Sequence, residues 1–319
     1  MSTIETQQLP PPRRLRPWKN IERRLRDVGL SGRTLVIAAP AIWLTVFFIV
    51  PLAVIFGISL SIKQFGRPPY SPLLTTDGGA VQLTLHLTNY ITLFTDPLYI
   101  AAYLSSIRIA LIATVFTLLI GYPMAYAIAR APEKWRNVLL MLVILPFWTS
   151  FLLLVYALSG FMRGNGVINN LLGLFGIPPL VMMQTDFAVY VGIVYTYLPF
   201  MILPLYTNLV KLDTSLLEAS ADLGARPIRT FLSVTLPLSM PGIVAGSMLV
   251  FIPAIGEFVI PSLLGGPDTL MIGRVLWDEF FSAANWPRAA AVAIAMLVVV
   301  VIPIMMLQRA QNAVVEGRR

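Results

Sequence analysis

The chain of 319 residues is 57% hydrophobic and only 12% charged, and its mean hydropathy is +0.79. A soluble core of this size cannot bury so much apolar surface, so lipid is the expected solvent for much of the chain. Cysteine is absent and His86 is the only histidine, which excludes disulfides, thiol nucleophiles and cysteine-based metal sites. The net charge of +8 comes from residues beside apolar runs rather than among exposed aromatic residues, a pattern that argues against a nucleic-acid partner.

The N-terminal segment is basic and rich in proline. Residues 1–32 include Pro10, Pro11 and Pro12 and carry many Arg residues, which predicts a solvated, basic cytoplasmic tail. The apolar run 35–62 that follows is too long for a signal peptide and lacks a small-residue cleavage pattern. It is therefore predicted to be an uncleaved first membrane span.

Apolar runs long enough to cross a membrane recur along the chain. A helix needs about 20 residues to cross a hydrocarbon core of about 30 Å, and six runs approach or exceed that length. The predicted spans are 35–62, 103–129, 138–160, 187–209, 242–260 and 289–307. The pattern predicts an all-α integral membrane protein with a six-helix domain over 33–308 and a short cytoplasmic tail over 309–319.

The distribution of basic residues predicts the orientation of these spans. Most of the 23 Lys and Arg residues fall in the N-terminal tail, the 130–136 turn, the 211–229 loop and the C-terminal end. Positive loops stay on the cytoplasmic side. Both termini and the 211–240 loop are therefore expected to be cytoplasmic.

The 211–240 loop is the least hydrophobic stretch between the later spans. Ser215 and Glu218 have the spacing of a capping box, so a short helix is predicted to begin at this point. Small side chains follow at Ala219, Ser220 and Ala221, which form a compact knuckle that another protein can approach closely. The alternative interpretation is a capped connector with no partner.

Glycine and proline residues mark the predicted helix ends in the rest of the loop. Gly224 suits the left-handed position that ends a helix, and Pro227 suits the first turn of a second helix over 228–235. Pro237 and Pro241 are expected to end that second helix before the fifth span.

The same loop resembles the "EAA" signature of the permease subunits of binding-protein-dependent ABC importers. The residues that carry the resemblance are Glu218, Ala219, Gly224, Leu236 and Pro237. Ser220 departs from the signature, where a second alanine is usual, but this change replaces one small residue by another. The resemblance covers about residues 32–306 and implies a type I importer permease fold of six membrane helices.

The resemblance also implies how the chain is driven. In that family the loop is a pair of coupling helices that dock into a groove on a cytoplasmic ATPase, present as two copies. The residues expected to couple are Glu218, Ala219, Ser220, Ala221, Asp222, Gly224, Ala225 and Arg226. The chain contains no G-x-x-x-x-G-K-[ST] sequence, so ATP and Mg²⁺ are expected on that partner.

Three further stretches are similar to the polyamine branch of the family. They are 145–152 (LPFWTSFL), 190–209 and above all 256–281. The resemblance implies import of putrescine or spermidine, a second homologous permease subunit that completes the pathway, and an extracellular or periplasmic polyamine-binding protein. It also implies location in a bacterial inner membrane.

Glu257 is the candidate that the residues themselves single out for the substrate. It is an ionisable group inside the fifth predicted span, where a charge costs about 2.5 to 3.5 kcal/mol on insertion scales and normally faces a wet cavity or a cationic partner. A carboxylate that lines the pathway suits a diamine. The alternatives are an ion pair with an arginine of a neighbouring helix and a position near the membrane edge.

Aromatic side chains are the second set of candidates, because an ammonium over a Trp or Tyr ring gains about 0.5 to 2 kcal/mol. These candidates are Trp148, Tyr195, Tyr197, Trp277 and Phe281. Asp278 and Glu279 form an acidic cluster beside Trp277 that is expected to receive the cation or to contact the binding protein. Helix packing and interfacial belts are the alternative explanation for such aromatics.

Three other classes remain open. A permease for another solute, such as an amino acid, a sugar or a metal cation, would share the loop signature. An ion-coupled secondary transporter would show inverted repeats and helices broken at matched positions, which the sequence does not reveal. An intramembrane enzyme is disfavoured, because no paired Asp, His-rich or Ser/His constellation lies inside the predicted spans. His86 lies in a segment of alternating polarity, 81–87, and is expected on a strand or surface piece rather than in a ligand site.

Overall fold

The computed structural model describes residues 32–77 and 80–316. Almost all of the predicted basic tail over 1–32 lies outside these residues. Within them the chain is helical over most of its length, and a single two-stranded antiparallel sheet lies between the first two spans. The predicted all-α membrane fold is therefore confirmed.

Six helical segments of the described residues are long and apolar enough to cross a membrane. They are span 1, Val36–Ser59; span 2, Pro97–Arg130; span 3, Phe151–Leu174; span 4, Asp186–Leu209; span 5, Pro227–Ile255; and span 6, Trp286–Met305. The number agrees with the sequence prediction, whereas the third and fifth predicted spans differ in their bounds.

Shorter elements build and connect these spans. The helices are Gly32–Leu44, Thr45–Ile49, Val50–Ser59, Thr88–Thr95, Pro97–Arg130, Glu133–Ile144, Leu145–Trp148, Phe151–Met162, Val167–Leu174, Asp186–Leu209, Ser215–Asp222, Pro227–Thr230, Phe231–Thr235, Leu236–Ile255, Val259–Leu264, Ile272–Trp277, Asp278–Ser282 and Trp286–Glu316. The last helix continues through residue 308, where the sequence predicted the start of a tail.

The chain divides into two compact units at Gly57. The described part of the first unit is a nearly continuous helix with a π-helical turn at Thr45–Ile49. That turn directly precedes Pro51, whose missing N–H and bulky ring disturb a regular helix. A π turn is one recognised way for a helix to absorb such a disturbance.

The second unit has spans 2, 4 and 5 at its centre, packed through small residues. Met201 of span 4 fills the space beside two glycines, because an added Cβ at Gly121 would lie 3.0 Å from its Cγ and one at Gly246 would lie 2.8 Å from its Sδ. Close backbone approach at glycine is a common way for membrane helices to associate, since lipid supplies no hydrophobic drive between them. Other buried side chains of these three spans include Ile109, Ala113, Ile193, Ile202, Leu205 and Val250.

The prediction of one continuous third span over 138–160 was wrong. A helix at Glu133–Ile144 is followed by the 3-10 turn Leu145–Trp148, and a new helix begins only at Phe151. Pro146 lies at the start of the turn, and Thr149 adopts extended backbone with φ −93° and ψ 158°. The Thr149 hydroxyl donates to the Pro146 carbonyl over 2.7 Å, so part of the freed backbone is satisfied locally.

The fifth span also differs from its prediction. Pro237 and Pro241 do not end a helix, because a π turn at Phe231–Thr235 carries the chain directly into Leu236–Ile255. The true break comes later, at residues 256–258, within the predicted span over 242–260. Prolines therefore mark the ends of this helix less well than they would in a soluble protein.

The connection between spans 1 and 2 contains the sheet. Strand Leu74–Asp77 pairs antiparallel with strand Ala80–Leu83. The expected strand near His86 is confirmed for its first part only, because the second strand ends at Leu83. The His86 backbone N–H donates to the Leu60 carbonyl over 2.8 Å.

Candidate functional site

Residues 215–230 form the 215–230 knuckle, which begins with the helix Ser215–Asp222. The start of this helix was predicted correctly, but the capping box was wrong. Asp213 caps the helix instead, because its Oδ1 accepts the Ser215 N–H over 3.0 Å. This hydrogen bond lowers the pKa of Asp213 below its ordinary value. Glu218 is left exposed in the first turn, a position where its charge favours the helix dipole.

Gly224 ends this helix as predicted. Its φ is +76°, its N–H donates to the Ala221 carbonyl over 2.8 Å, and the Ala225 N–H donates to the Ser220 carbonyl over 3.1 Å. These two bonds form a Schellman motif, in which a residue other than glycine or asparagine is strained. Pro227 opens the second helix, Pro227–Thr230, which confirms that prediction.

The knuckle presents a mixed apolar and charged surface. Leu223 is 88% exposed and Ile228 is 75% exposed, although both are large apolar residues. Charged side chains at Glu218, Asp222 and Arg226 are exposed beside them. Underneath, the Ser220 and Thr230 hydroxyls are 2.9 Å apart and join the two helices. Such a surface suits a protein partner better than free solvent.

A contact that the sequence did not predict joins the knuckle to span 2. Phe231, the first residue of the π turn, lies edge-on to Tyr122 at 5.5 Å and to Tyr126 at 6.5 Å between ring centroids. The Tyr122 hydroxyl lies 2.9 Å from the Ser239 hydroxyl of span 5. Phe231 directly follows the knuckle, so these contacts connect the start of span 5 to the end of span 2 that carries Tyr122.

Glu257 lies at the break that directly follows span 5 and is only 7% exposed. Its Oε1 accepts the backbone N–H groups of Phe258, Val259 and Ile260 over 3.2, 3.0 and 3.3 Å. Its Oε2 accepts the Tyr197 hydroxyl over 2.5 Å. The carboxyl group therefore caps the short helix Val259–Leu264, and these hydrogen bonds satisfy its oxygens although the residue is buried.

The alternative of an ion pair with an arginine does not describe this geometry. The partners of its carboxylate are a tyrosine and three backbone amides rather than an arginine. The backbone of the break is also closely packed, because an added Cβ at Gly273 would lie 2.4 Å from the Gly256 carbonyl and 2.6 Å from the Glu257 carbonyl. Irregular backbone is tolerated in a membrane span where it is buried in protein or lines a cavity.

An aromatic stack begins beside this carboxylate. Phe258 stacks on Trp277 at 4.3 Å, and Trp277 contacts Phe281 at 4.1 Å between ring centroids. Trp277 is 42% exposed and Phe281 is 58% exposed, and Asp278 is exposed next to them. The structure thus brings together three of the predicted candidates and adds Phe258, which sequence reasoning missed.

Glu279 points to a different set of partners from Asp278. Its Oε1 accepts the Tyr99 hydroxyl over 2.5 Å and lies 3.7 Å from Arg288 Nη1. Tyr99 is 1% exposed, so this cluster ties the start of span 2 to the segment before span 6. The predicted acidic cluster at 278–279 is therefore divided between an exposed carboxylate, Asp278, and a half-buried one, Glu279.

Trp148 and Tyr195 lie apart from the stack. Trp148 is 75% exposed and lines a cleft of about 270 Å³ beside Leu140. Tyr195 lines another cleft of about 430 Å³ beside Pro146. Tyr197, the neighbour of Tyr195 on the opposite side of span 4, is the residue that reaches Glu257.

The two broken helices approach span 4 through one row of aromatic rings. Phe147, in the break of the third span, is 4.9 Å from Phe200, and Phe200 is 6.0 Å from Tyr197. The sequence did not reveal these breaks. Their common feature is a contact with span 4, where Tyr197 continues the row to Glu257.

The described residues contain six membrane-length helices and an exposed knuckle before span 5, and two of the predicted spans are broken. These features are those of a membrane permease subunit. The chain belongs to the family of binding-protein-dependent transport system inner membrane components, which matches residues 117–315. It is thus an inner-membrane subunit of a transporter rather than an enzyme.

Two known transport permeases and one solved transporter structure are similar to this chain. The spermidine/putrescine transport system permease protein PotB of Escherichia coli (strain K12) is 40% identical over 272 residues, which cover 85% of this chain and 94% of that protein. The inner membrane ABC transporter permease protein YdcU of the same organism is 30% identical and covers 87% of this chain and 89% of its own length. A bacterial alginate ABC transporter, solved with an alginate-bound periplasmic protein, shares the fold with a TM-score of 0.61 at 19% identity, over 91% of this chain and 95% of that one.

Proposed function

We propose that this chain is one of two channel-forming subunits of an ATP-driven importer that carries polyamines into the cell. The observation that carries the proposal is Glu257, a buried carboxylate at a helix break beside an aromatic stack. Carboxylates and aromatic faces are the two groups that recognise alkylammonium ions. The 40% identity to a spermidine/putrescine permease supports the same substrate class.

The proposed substrate pathway runs from the exposed aromatic face towards Glu257. Trp277, Phe281 and Asp278 are exposed and would meet the cation first. Trp277 stacks on Phe258 at 4.3 Å, and Phe258 directly follows Glu257 in the chain. In this proposal a dication passes over the exposed aromatic faces on its way to the carboxylate, and each such contact contributes about 0.5 to 2 kcal/mol.

The other predicted pathway residues have secondary roles in this proposal. Tyr197 holds Glu257 in place through the 2.5 Å hydrogen bond. Glu279 pairs with Tyr99 and Arg288 and would act by fixing the segment that bears Trp277. Trp148 and Tyr195 face separate clefts and would contact substrate only if the pathway extends along the break of the third span.

We propose that the 215–230 knuckle docks on a cytoplasmic ATPase, which binds ATP and Mg²⁺. The coupling residues would be Glu218, Ala219, Ser220, Ala221, Asp222, Gly224, Ala225 and Arg226. Exposed Leu223 and Ile228 would enter an apolar groove of that partner, and the surrounding charges would fix its orientation. Closure of the ATPase would then move the knuckle and, through Phe231, the ends of spans 2 and 5.

The proposed assembly contains this chain, a second homologous permease subunit, two copies of the ATPase and a polyamine-binding protein outside the membrane. Both termini would lie on the cytoplasmic side with the knuckle, because an even number of spans separates each of them from it. Lipid would cover the remaining apolar surface.

Two rival functions are less well supported. A permease for another solute remains the nearest alternative, since a molybdenum transport permease of Mycobacterium bovis is 30% identical over 72% of the chain. A buried acidic cap beside aromatic rings favours a cation over an oxyanion. A secondary transporter would use broken helices as well, but the family shown here is that of binding-protein-dependent systems.

The test is ATP turnover by the complete complex in liposomes. A loaded binding protein should stimulate hydrolysis when its cargo is putrescine or spermidine. Sugars and amino acids, presented with their own binding proteins, should leave the rate at its basal level. Stimulation by an amino acid but not by a diamine, or turnover that no binding protein changes, would contradict the proposal.

A further inference from the structure

The segment between span 1 and the two-stranded sheet forms a small hairpin, Lys63–Tyr70. Lys63 and Tyr70 form an antiparallel bridge, the Gln64 N–H donates to the Pro69 carbonyl over 3.2 Å, and the Ser71 N–H donates to the Ile62 carbonyl over 2.9 Å. Phe65, at the tip, is 99% exposed and is the most exposed large apolar side chain among the described residues.

Side-chain contacts hold this hairpin in position from its base. Lys63 Nζ donates to the Ala283 carbonyl over 2.8 Å, directly after the π-helical segment Asp278–Ser282. The Tyr70 ring lies 6.4 Å from the Trp286 ring. The tip is thus presented by an anchored base, and a fully exposed aromatic side chain is a typical feature of an interface.

The position of the tip in the chain indicates which partner it meets. Three membrane-length helices separate the hairpin from the 215–230 knuckle, which puts the two on opposite sides of the membrane in the proposed topology. If the knuckle faces the ATPase, as proposed above, the hairpin faces the side from which cargo arrives. The family itself depends on a binding protein, and that side is where such a protein would dock.

The chemistry of the tip fits a protein partner with an acidic rim. Residues 63–70 carry Lys63 and Arg67 but no Asp or Glu, and Arg67 is exposed beside Phe65. A central aromatic anchor with a charged neighbour is a common arrangement at protein interfaces. Charge complementarity at the rim mainly raises the association rate.

The base of the hairpin also continues into the proposed substrate pathway. Trp286 stacks on Phe280 at 5.1 Å, and Phe280 contacts Phe281 at 4.8 Å between ring centroids. Phe281 belongs to the exposed stack that is proposed to receive the cation. A binding protein seated on the tip would therefore release its cargo next to that stack.

We infer that the Lys63–Tyr70 hairpin is a docking element for the cargo-loaded binding protein, with Phe65 inserted in an apolar pocket and Arg67 facing acidic residues at its rim. This inference rests on the proposed function but concerns a separate surface of the chain. The lipid headgroup region and the second permease subunit are the other possible neighbours of the tip, and the test must separate them.

The test titrates binding protein loaded with spermidine against the reconstituted complex and measures ATP hydrolysis. Phe65→Ala should raise the half-saturating concentration of binding protein about tenfold, a change typical of an interface anchor. Arg67→Glu should raise it as well, and its effect should shrink as salt increases. Phe94→Ala is the matched control, because Phe94 is 76% exposed on the same stretch between spans 1 and 2, and it should leave the titration unchanged.

A cross-linking measurement identifies the neighbour directly. A photoreactive phenylalanine analogue at position 65 should cross-link to the binding protein when cargo and complex are both present. Cross-links to the second permease subunit or to lipid alone would overturn the inference, as would a Phe65→Ala titration equal to that of the wild type. If the wild-type complex fails to respond to any polyamine-loaded binding protein, the proposed function fails instead.

Discussion

Replacement of Glu257 by glutamine separates the capping role of this residue from its proposed role in the pathway. The glutamine carbonyl can still accept the three backbone N–H groups that now reach Oε1 at 3.0 to 3.3 Å. The charge is lost, and the amide group that faces Tyr197 can no longer accept its hydroxyl proton. A hydrogen bond to a charged group contributes about 1.5 to 3 kcal/mol and a neutral one about 0.5 to 1.5 kcal/mol, so Glu257→Gln should lower the free energy of unfolding by about 1 to 3 kcal/mol.

The matched control is Tyr197→Phe. It removes only the hydroxyl that donates to Oε2 over 2.5 Å and leaves the carboxylate charged and capped. Loss of one partner from a buried charge should destabilise the protein by about 1 to 3 kcal/mol. The two variants are therefore expected to lose similar stability while only one of them loses the negative charge.

The assay compares unfolding in detergent with uptake of labelled putrescine by liposomes that contain equal amounts of folded complex. Tyr197→Phe should retain most of the uptake per folded complex, whereas Glu257→Gln should lower it at least tenfold. Half-saturation by binding protein should not change in either variant. Equal uptake by Glu257→Gln and the wild type, or an equal fall in both variants, would refute the role of the carboxylate in the pathway and leave it as a helix cap.

Three further changes test the rest of the structure. Gly224→Val should uncouple ATP hydrolysis from uptake, because a backbone φ of +76° strains a β-branched residue by about 1 to 2 kcal/mol. Gly224→Asn is the control and should be tolerated. Normal uptake per ATP by the valine variant would contradict the role of Gly224 in coupling. Phe231→Ala should lower the uptake per ATP hydrolysed, whereas Leu232→Ala, at a site 55% exposed, should not. Equal uptake per ATP in the two variants would exclude Phe231 from the coupling path. Gly273→Ala should lower the unfolding temperature, because its Cβ would lie 2.4 Å from the Gly256 carbonyl and overpacking costs about 1 to 3 kcal/mol. Gly160→Ala is the control, because a Cβ at that position meets open space. Equal unfolding temperatures of the two variants would contradict the close packing at Gly273.

The membrane fold was accessible from the sequence because lipid imposes a simple length rule on apolar helices. Four of the six spans lie close to their predicted places. The turn chemistry of the knuckle was also predictable, since Gly224 and Pro227 have strong local preferences. The cap of its first helix was not, because Asp213 and Ser215 both have suitable side chains at nearly the same place.

The two helix breaks were missed for a different reason. The polar residues at these breaks, Thr149, Ser150 and Glu257, are few and lie between long apolar stretches, so the overall hydropathy of each run conceals the interruption. Pro146 was a signal for the first break, but several other prolines in the spans lie in continuous helix, such as Pro199 and Pro204. At the second break Glu257 is hydrogen-bonded to Tyr197, a residue 60 positions away, and no local sequence pattern contains that contact.

The sequence predicted which residues belong to the candidate site, but it did not predict which of them contact one another. Glu257 and Trp277 were both chosen from the sequence, yet the ring that links them, Phe258, was not. Asp278 and Glu279 were treated as one cluster, whereas a one-residue step around a helical turn points them in different directions. Contacts between spans, such as Phe231 with Tyr122, require the tertiary structure.

Accumulation of labelled spermidine in sealed liposomes tests the central claim most directly, with the full complex in the bilayer, loaded binding protein outside and ATP supplied to the ATPase side. The account predicts that spermidine rises above its external concentration, that accumulation stops when ATP is replaced by a non-hydrolysable analogue, and that unlabelled putrescine competes. Accumulation that persists without hydrolysis, or that responds to an ion gradient alone, would contradict it.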